Sequence, residues 1–416
     1  MKLSVCDTQQ KALMTWSNAI TGSDEWWQQL IQRGIPLTEA ADNNACDVTF
    51  FWRDPQGDET TSSTQRVWIN ITGVTDHHQQ SAPVSLSRLP GTDVWYWQTR
   101  LPADWRGSYC LMPDTAPDAF VGQPDMYALR NWWREKFPAA QADPLNRLRS
   151  WSGGRGMGVS PLHMPGAPDQ SVWQAVDDGS APGLPLQHYV WESRRLGNRR
   201  SVWIYTSGDE RPDERPLALL LDGQFWVNSM PVAWPLQQLT DAGELPPAVY
   251  VMIDVIDREH RSRELTCNPE FWLALQEELL PQLQRWAPHR VIADDAVVIG
   301  QSFGGLASVY AALNWPQHFG AAISLSGSFW WPARGEASGW LIQQLQQGAL
   351  NAPPLRFYLE AGRREGLIFQ ANQQLHQQLL GKHHQVMFHP VDGGHDALCW
   401  RGGLINGLKA VWRPLL

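Results

Sequence analysis

One serine in this chain stands in a setting that suits a catalytic nucleophile. Residues 297–305 read Val-Val-Ile-Gly-Gln-Ser-Phe-Gly-Gly, so an apolar run meets a Gly-x-Ser-x-Gly pattern centred on Ser302. Apolar residues at helical spacing follow it, namely Leu306, Val309, Tyr310 and Leu313. A strand that turns sharply into a helix around this pattern is a nucleophile elbow, which holds the serine hydroxyl above a sheet. The pattern therefore predicts that Ser302 is the nucleophile of a hydrolase.

The predicted nucleophile needs a general base, because a serine hydroxyl is a poor nucleophile at neutral pH. The chain has 12 histidines. Only His395 combines a position after the last predicted strand with a tight loop, residues 391–396, which read Val-Asp-Gly-Gly-His-Asp. The two glycines let this loop fold back towards the elbow, and the chain order serine, acid, histidine is typical of such hydrolases. We therefore predict that His395 is the base.

The acid that orients the base should follow the preceding strand. Residues 356–365, Arg-Phe-Tyr-Leu-Glu-Ala-Gly-Arg-Arg-Glu, offer two carboxylates. Glu365 is favoured because it lies past the strand end, whereas Glu360 lies within the strand and its direction depends on register. A serine–histidine dyad without a carboxylate is the third possibility. Asp396 is a weaker candidate, since its backbone is tied directly to the base, and we interpret it as a residue that fixes the loop.

Two backbone N–H groups should stabilise the oxyanion that forms during acyl transfer. One is expected from Phe303, the residue after the serine, and the other from the loop after an early strand. Residues 219–224, Leu-Leu-Leu-Asp-Gly-Gln, form such a strand and turn. The backbone N–H of Gly223 or Gln224 is the predicted second donor.

The elements that position these residues fall into three parts. Residues 1–137 contain short β-branched or aromatic runs separated by turn residues, which predicts an N-terminal all-β sandwich domain. Residues 138–185 are rich in proline and glycine and are predicted to be an interdomain linker. Residues 186–416 alternate strands and helices, which predicts a catalytic domain with the α/β hydrolase fold, a doubly wound and mostly parallel sheet. The strand candidates there are 201–206, 217–221, 248–254, 296–301, 321–325, 355–360 and 385–389.

Composition excludes several classes of function. The formal net charge is −9, which argues against nucleic acid as a partner. The five cysteines are scattered and lack metal-ligand spacing, so no metal site is predicted. Residues 1–18 lack the apolar run of a signal peptide, and no segment is long enough to span a membrane, so we expect a cytoplasmic protein. The 24 tryptophans are many for this length and suit an aromatic ligand, although a core explains most of them.

The C-terminal half resembles the serine esterase family that includes feruloyl esterases, S-formylglutathione hydrolases and mycobacterial mycolyltransferases. The resemblance rests on the Leu-Asp-Gly turn at 221–223, the elbow at 300–304, Gly362 with Glu365, and His395. It implies the same catalytic serine and histidine.

A narrower resemblance covers nearly the whole chain. The segments that carry it are 51–57, 71–79, 105–110, 300–305 and 391–403. They are similar to the enterochelin esterases, the cytoplasmic ferric enterobactin hydrolases of enteric bacteria. The resemblance implies hydrolysis of the serine trilactone of enterobactin through an acyl-Ser302 intermediate, which gives linear dihydroxybenzoylserine products and eases iron release. It implies no cofactor, because iron enters only with the substrate, and it leaves the oligomeric state open.

The implied substrate is a bulky anion with aromatic faces, which arginine and tryptophan side chains suit. Three clusters follow strand ends, where such sheets bind ligands. They are Arg258, Arg261 and Arg263; Trp330, Trp331 and Arg334; and Trp400 and Arg401. Packing of a cap is an equal interpretation for Trp330 and Trp331, and an ion pair with Glu264 for Arg261. Arg155, between linker glycines, is a further candidate, although a plain linker is as good an interpretation.

Two other functions remain as alternatives. A feruloyl or acetyl-xylan esterase would use the N-terminal domain for carbohydrate, but it is expected to carry a secretory signal. A non-catalytic siderophore-binding protein is the other alternative, and the intact settings of Ser302 and His395 argue against it.

Overall fold

A computed structural model describes residues 17–41, 44–153, 157–208, 211–333 and 335–412. The chain divides into two compact units, with the boundary between Asp169 and Gln170.

The N-terminal unit is built on eight strands that pair antiparallel throughout. Their order across the sheet is β1-β2-β5-β4-β3-β6-β8-β7. The strands are β1 (Leu37–Ala41), β2 (Ala45–Arg53), β3 (Arg66–Ile71), β4 (Val84–Arg88), β5 (Val94–Pro102), β6 (Arg106–Asp114), β7 (Trp151–Ser152) and β8 (Gly158–His163). In the described part of this unit, the α-helices Asp24–Arg33 and Met126–Lys136 accompany them.

The N-terminal unit was predicted to be all-β, but a helix covers one face of its sheet. Side chains of successive strand residues point to opposite faces of a sheet. On one face, Phe50 of β2 belongs to an apolar cluster with residues of β3 and β6. Its neighbour Phe51 belongs to a second cluster with Trp26 and Trp27 of the helix Asp24–Arg33. The helix therefore covers a sheet face that strands alone would leave exposed.

Residues 138–185 were predicted to be an interdomain linker, but much of this stretch is part of the folded N-terminal unit. Strand β8 lies within it and pairs with β6, and its residues Val159 and Leu162 are buried. The Tyr109 hydroxyl of β6 also donates a 2.7 Å hydrogen bond to Asp143. Backbone pairing and burial thus incorporate most of this stretch into the N-terminal unit, although its proline and glycine content is typical of a connection.

The C-terminal unit contains a second eight-stranded sheet of order β16-β15-β14-β13-β11-β12-β10-β9. Its strands are β9 (Gln187–Ser193), β10 (Asn198–Thr206), β11 (Leu217–Leu221), β12 (Val249–Ile253), β13 (Ala296–Gln301), β14 (Ala321–Leu325), β15 (Arg356–Gly362) and β16 (Gln385–Val391). Strands β11 to β16 pair in parallel, whereas β10 pairs antiparallel with β9 and β12. Residues of β11 to β14 are buried throughout, because helices cover both faces.

The helices of this unit connect the strands. The α-helices are Gln174–Asp177, Ala233–Asp241, Arg258–Glu264, Pro269–Ala274, Leu280–Trp286, Phe303–Asn314, Trp340–Gln346, Leu367–Gly381 and Ala397–Trp412, and π-helical turns span Phe225–Ser229 and Leu275–Leu279. Parallel pairing brings the carboxyl ends of β11, β13, β14 and β15 to one edge of the sheet, where the predicted catalytic segments begin. Within the described ranges, no helix has both the length and the apolar character needed to cross a bilayer.

Candidate active site

Ser302 occupies a strained turn between β13 and the helix Phe303–Asn314. Its φ is 58°, a left-handed value that costs a non-glycine residue of order 1–3 kcal/mol and that clusters at functional sites. The Ser302 N–H donates a 2.9 Å hydrogen bond to the Leu325 carbonyl at the end of β14. A Cβ on Gly300 would overlap the backbone of Gly304, so the turn closes only with glycine. The structure therefore has the geometry of a nucleophile elbow at the predicted position.

His395 and Glu365 form a direct pair. The Nδ1 atom of His395 lies 2.6 Å from Oε1 of Glu365. Glu365 is fully buried, and its other oxygen accepts hydrogen bonds from the Gly362 N–H at 2.6 Å and from the Ser326 hydroxyl at 2.9 Å. The carboxylate is thus held by three donors. An acceptor on Nδ1 keeps the imidazole proton there and places the basic lone pair on Nε2.

The other two carboxylates considered for the acid have different partners. Glu360 accepts a 3.2 Å hydrogen bond from the Tyr358 hydroxyl. Its Oε1 packs so closely against Gly403 of the last helix that a Cβ added there would be only 2.5 Å away. Burial, and then the adjacent Glu360 charge, raises the pKa of Tyr358 well above its ordinary value. Asp396 accepts from the Leu398 N–H at 2.8 Å and so caps the last helix. The structure therefore brings Glu365, rather than Glu360, to His395.

The loop after β14 contacts Ser302 directly and is linked to His395 through Trp400. The Ser328 N–H donates a 3.0 Å hydrogen bond to the Ser302 carbonyl, and the hydroxyl oxygens of these two serines lie 3.3 Å apart. On the other side, Trp400 donates from Nε1 to the Ser326 hydroxyl at 3.0 Å. The Trp400 ring packs perpendicular to the His395 ring, with centroids 4.9 Å apart. The same short loop thus contacts Ser302 and the residue that packs on His395.

The two predicted sources of oxyanion donors start helical turns at the same edge. Phe303 is the first residue of its helix, so its N–H has no acceptor within the helix. Gln224 immediately precedes the π-helical turn Phe225–Ser229. A Cβ on Gly223 would overlap the backbone of Met252 and Ile253, so the second loop requires glycine in order to pass beside β12.

Arg261 belongs to an ion pair that sequence reasoning missed. Its Nε and Nη2 atoms donate to the two carboxylate oxygens of Asp222 at 2.6 and 2.9 Å, and Nη2 also donates to the Gln301 carbonyl at 3.2 Å. The predicted alternative, a pair with Glu264, is wrong, because Glu264 is buried against Arg200 at 2.8 Å. Arg261 therefore ties the Asp-Gly turn to the strand that precedes the elbow.

Arg401 was predicted as a substrate contact, and the structure corrects this. Its side chain is 1% exposed and donates to both oxygens of Asp177 at 2.6 and 2.7 Å. It also donates to Gln170 at 2.7 Å and stacks on Trp173. The helical turn at its position directs the guanidinium into the unit, where it has an internal counterion.

The remaining predicted substrate contacts lie in varied settings. Arg258 and Arg263 line a shallow surface depression on the helix Arg258–Glu264. Trp330 and Trp331 are half-buried against the apolar core, and the Trp330 ring centroid lies 6.0 Å from that of Phe303. The predictions for Arg155 and Arg334 fall outside the described residues.

Two hydroxyls, of Ser326 and Ser328, are the functional candidates that sequence reasoning did not identify. The available signal was their position directly after β14, at the edge where parallel sheets bind ligands. Among the residues that the structure describes, no group of three or more His, Cys, Asp or Glu side chains could hold a metal ion.

Comparison with protein families matches both units. Residues 47–173 match the family described as "Enterochelin esterase, N-terminal", and residues 193–411 match the family described as "Putative esterase".

Individual relatives match along nearly the full length. The iron(III) enterobactin esterase of Escherichia coli O6:H1 is 54% identical over 95% of this chain and 97% of its own, and that of Dickeya dadantii is 48% identical over 94% of each. The crystal structure of the enterobactin esterase from Shigella flexneri in the presence of enterobactin superposes with a TM-score of 0.87 at 51% identity, over 95% of this chain and 100% of that one. The chain therefore belongs to the family of the iron(III) enterobactin esterases.

Proposed function

We propose that this protein is a serine esterase that hydrolyses the trilactone ester bonds of enterobactin, including its iron(III) complex, to linear dihydroxybenzoylserine products. The observation that carries the proposal is the pairing of buried Glu365 with His395, together with a nucleophile elbow at Ser302, in a chain 54% identical to an iron(III) enterobactin esterase. A serine elbow, an oriented imidazole and backbone donors are the parts that ester hydrolysis requires.

The C-terminal unit is an α/β hydrolase fold in this proposal, with a doubly wound sheet and antiparallel strands at one edge. The parallel pairing of β11 to β16 supports the assignment. The N-terminal β-rich unit is a separate domain. None of the four described cysteines forms a disulfide, which supports action in the reducing cytoplasm.

Acylation begins when Ser302 attacks a lactone carbonyl. Nε2 of His395 accepts the hydroxyl proton, and the buried Glu365 carboxylate stabilises the imidazolium that forms. The N–H groups of Phe303 and of Gly223 or Gln224 stabilise the oxyanion. Each such donor lowers the activation barrier by about 3 kcal/mol. Collapse breaks the ester C–O bond, and the imidazolium returns the proton to the departing alkoxide.

Deacylation uses the same residues with water as the nucleophile. His395 accepts a proton from water, hydroxide attacks the acyl-Ser302 carbonyl, and Ser302 departs with the proton. The first cycle opens the ring without losing a fragment, because the leaving alkoxide belongs to the same molecule. Further cycles shorten the chain to dimer and monomer. Opening the ring removes the preorganisation of the three catecholates, so iron is held less tightly.

The exposed Arg258 and Arg263 and the half-buried Trp330, Trp331 and Trp400 are proposed to contact the anionic, aromatic substrate. Guanidinium groups pair with anions, and indole rings stack on catechol faces. The proposal needs no cofactor, since iron enters as part of the substrate.

A product-resolved comparison of two substrates tests the substrate class. Chromatography of the reaction with iron-free or iron-loaded enterobactin should show successive trimer, dimer and monomer, with kcat/KM far above that for methyl ferulate. A preference for methyl ferulate would instead favour a feruloyl esterase. Binding of enterobactin without any product would favour a siderophore-binding protein.

A further inference from the structure

Ser326 is a buried residue in an unfavourable backbone conformation. It follows β14 directly, is 2% exposed and has a φ of 52°. Its N–H donates a 2.7 Å hydrogen bond to the Glu360 carbonyl at the end of β15. A left-handed serine costs free energy that glycine would avoid. The side chain must therefore contribute something at this position that offsets the strain.

The Ser326 hydroxyl joins two groups in a fixed direction. An indole N–H can only donate, so Trp400 Nε1 donates to Ser326 Oγ over 3.0 Å. An ionised carboxylate can only accept, so the Ser326 hydroxyl donates to Oε2 of Glu365 over 2.9 Å. These bonds form a relay, Trp400 to Ser326 to Glu365, with a single possible polarity.

Both ends of this relay meet at His395. Glu365 uses Oε1 for the imidazole Nδ1 at 2.6 Å, while Oε2 is occupied by Ser326 and by the Gly362 N–H. Trp400 packs its ring at 85° to the imidazole plane. The first contact fixes one ring nitrogen, and the second restricts rotation of the ring about that bond.

We infer that Ser326 is a positioning residue for the reaction, which holds Glu365 and Trp400 in the orientation that aims Nε2 of His395 at Ser302. This inference rests on the proposed function, in which His395 is the general base. Ser326 itself touches neither the substrate nor the nucleophile in this role. It acts through Glu365 and Trp400, which fix the base, so its effect falls on turnover more than on substrate binding, to which Trp400 is also proposed to contribute.

The test uses Ser326→Gly in the full chain, because glycine adopts the observed φ without strain while the hydroxymethyl side chain, and with it the relay, is removed. With enterobactin as substrate, we expect kcat to fall about 10- to 100-fold, the range typical when a partner that orients a functional ligand is removed, with KM within about twofold of wild type. The matched control is Ser207→Ala. Ser207 is also a buried serine of this unit, with hydrogen bonds to Ala248 and Thr240, but it lies beside the amino end of β12. Its loss should lower the melting temperature and leave kcat near wild type.

A double-mutant cycle separates positioning from general destabilisation. Trp400→Phe keeps a ring against His395 but removes the indole donor, so we expect a smaller fall in kcat, about 3- to 10-fold. The double variant with Ser326→Gly should lose less than the product of the two single losses, because both changes break the same relay. Multiplicative losses would overturn the inference.

A second substitution keeps the inference testable if the glycine variant does not fold. Ser326→Cys retains a similar side-chain volume but supplies only a weak donor, so kcat should again fall while KM is kept. A folded Ser326→Gly or Ser326→Cys protein with kcat within about twofold of wild type would overturn the inference. The proposed function fails separately, if Ser302→Ala still turns over enterobactin.

Discussion

Arg261 and Asp222 form a two-point ion pair, with N–O distances of 2.6 and 2.9 Å, that joins the turn at residues 222–224, the proposed oxyanion loop, to strand β13 before the elbow. Asp222 has a φ of 55°, so the loop that carries Gly223 begins in a strained conformation. A bidentate guanidinium fixes both the distance and the angle of its partner carboxylate. Since Arg261 also donates to the Gln301 carbonyl, one side chain sets the spacing between the two proposed sources of oxyanion donors.

Replacing Gln224 by proline removes the backbone N–H at this position without changing the backbone conformation there. Gln224 has a φ of −59°, a value that proline adopts, and glycine precedes it. If this N–H is the second oxyanion donor, Gln224→Pro should lower kcat about 100-fold or more, whereas Gln224→Ala should retain most activity. Steady-state kinetics on enterobactin provide the check. Equal activities of the two variants would assign the donor to Gly223 instead.

A matched pair of substitutions tests whether Glu365 or Glu360 is the acid that orients His395. Glu365→Gln should lower kcat by roughly 10³- to 10⁴-fold, because the amide no longer stabilises the imidazolium and disturbs the tautomer of His395. Glu360→Gln removes a buried charge without touching His395, so we expect at most a tenfold loss, together with a lower melting temperature. The measurement is kcat for both proteins after thermal unfolding has confirmed that they are folded. Similar small losses in both would support a serine–histidine dyad.

The exposed arginines on the helix Arg258–Glu264 should affect binding rather than chemistry. Arg258→Ala and Arg263→Ala are each expected to raise KM for the anionic iron-loaded substrate about 2- to 10-fold at low salt, with kcat unchanged. The effect should shrink at high ionic strength, since exposed charges are screened. Arg285→Ala, an exposed arginine on the helix Leu280–Trp286, is the control. If Arg285→Ala raised KM by the same factor, the proposal that Arg258 and Arg263 contact the substrate would be wrong.

Asp143 gives the N-terminal unit a pH-dependent stability. Burial raises the pKa of Asp143 from 3.8 to about 6, although the Tyr109 hydroxyl bond opposes the shift. The folded state therefore keeps a proton that the unfolded chain releases at lower pH. The stabilising contribution is fully present below about pH 4 and is lost as the pH rises through about 6, with a size of roughly 2–3 kcal/mol.

The check is the melting temperature as a function of pH in wild type and Asp143→Asn. The amide imitates the neutral acid, so the stability advantage of the wild type should decline from pH 4 to pH 7. Asp118→Asn, at an exposed position, should follow the wild type throughout. A difference between wild type and Asp143→Asn that stays constant over this range would contradict the assigned shift.

The site residues that could be predicted from sequence are those whose local pattern determines their geometry. The apolar run before Ser302 and the glycine at position 300 specify a turn that closes only with glycine at that position. Glu365 was favoured over Glu360 because a residue beyond a strand end is free of register, and the structure places only Glu365 at His395. Seven of the eight strands in the sheet of the C-terminal unit were predicted, most of them from near-continuous apolar runs. Strand β9 was not predicted, because its residues are largely exposed and form no apolar run.

The residues that sequence reasoning misplaced depend on partners that are distant in the chain. Arg401 follows the base loop, but its partner Asp177 is more than 200 residues earlier, and no local pattern reports that pair. Ser326 is one of many serines, and its contacts arise only when β14 lies beside β15. Strand β8 was missed because its proline and glycine neighbours resemble those of a linker, while its pairing with β6 comes from the tertiary fold.

The most direct test of the account is the turnover of enterobactin by Ser302→Ala, measured beside its affinity for the iron-loaded ligand. Quenching of tryptophan fluorescence reports binding, and chromatography reports products. We expect the dissociation constant to stay within a few-fold of wild type while kcat falls by roughly 10³-fold or more, since binding and oxyanion donors alone leave little catalysis. Ring opening by this variant at a rate near that of the wild type would contradict Ser302 as the nucleophile.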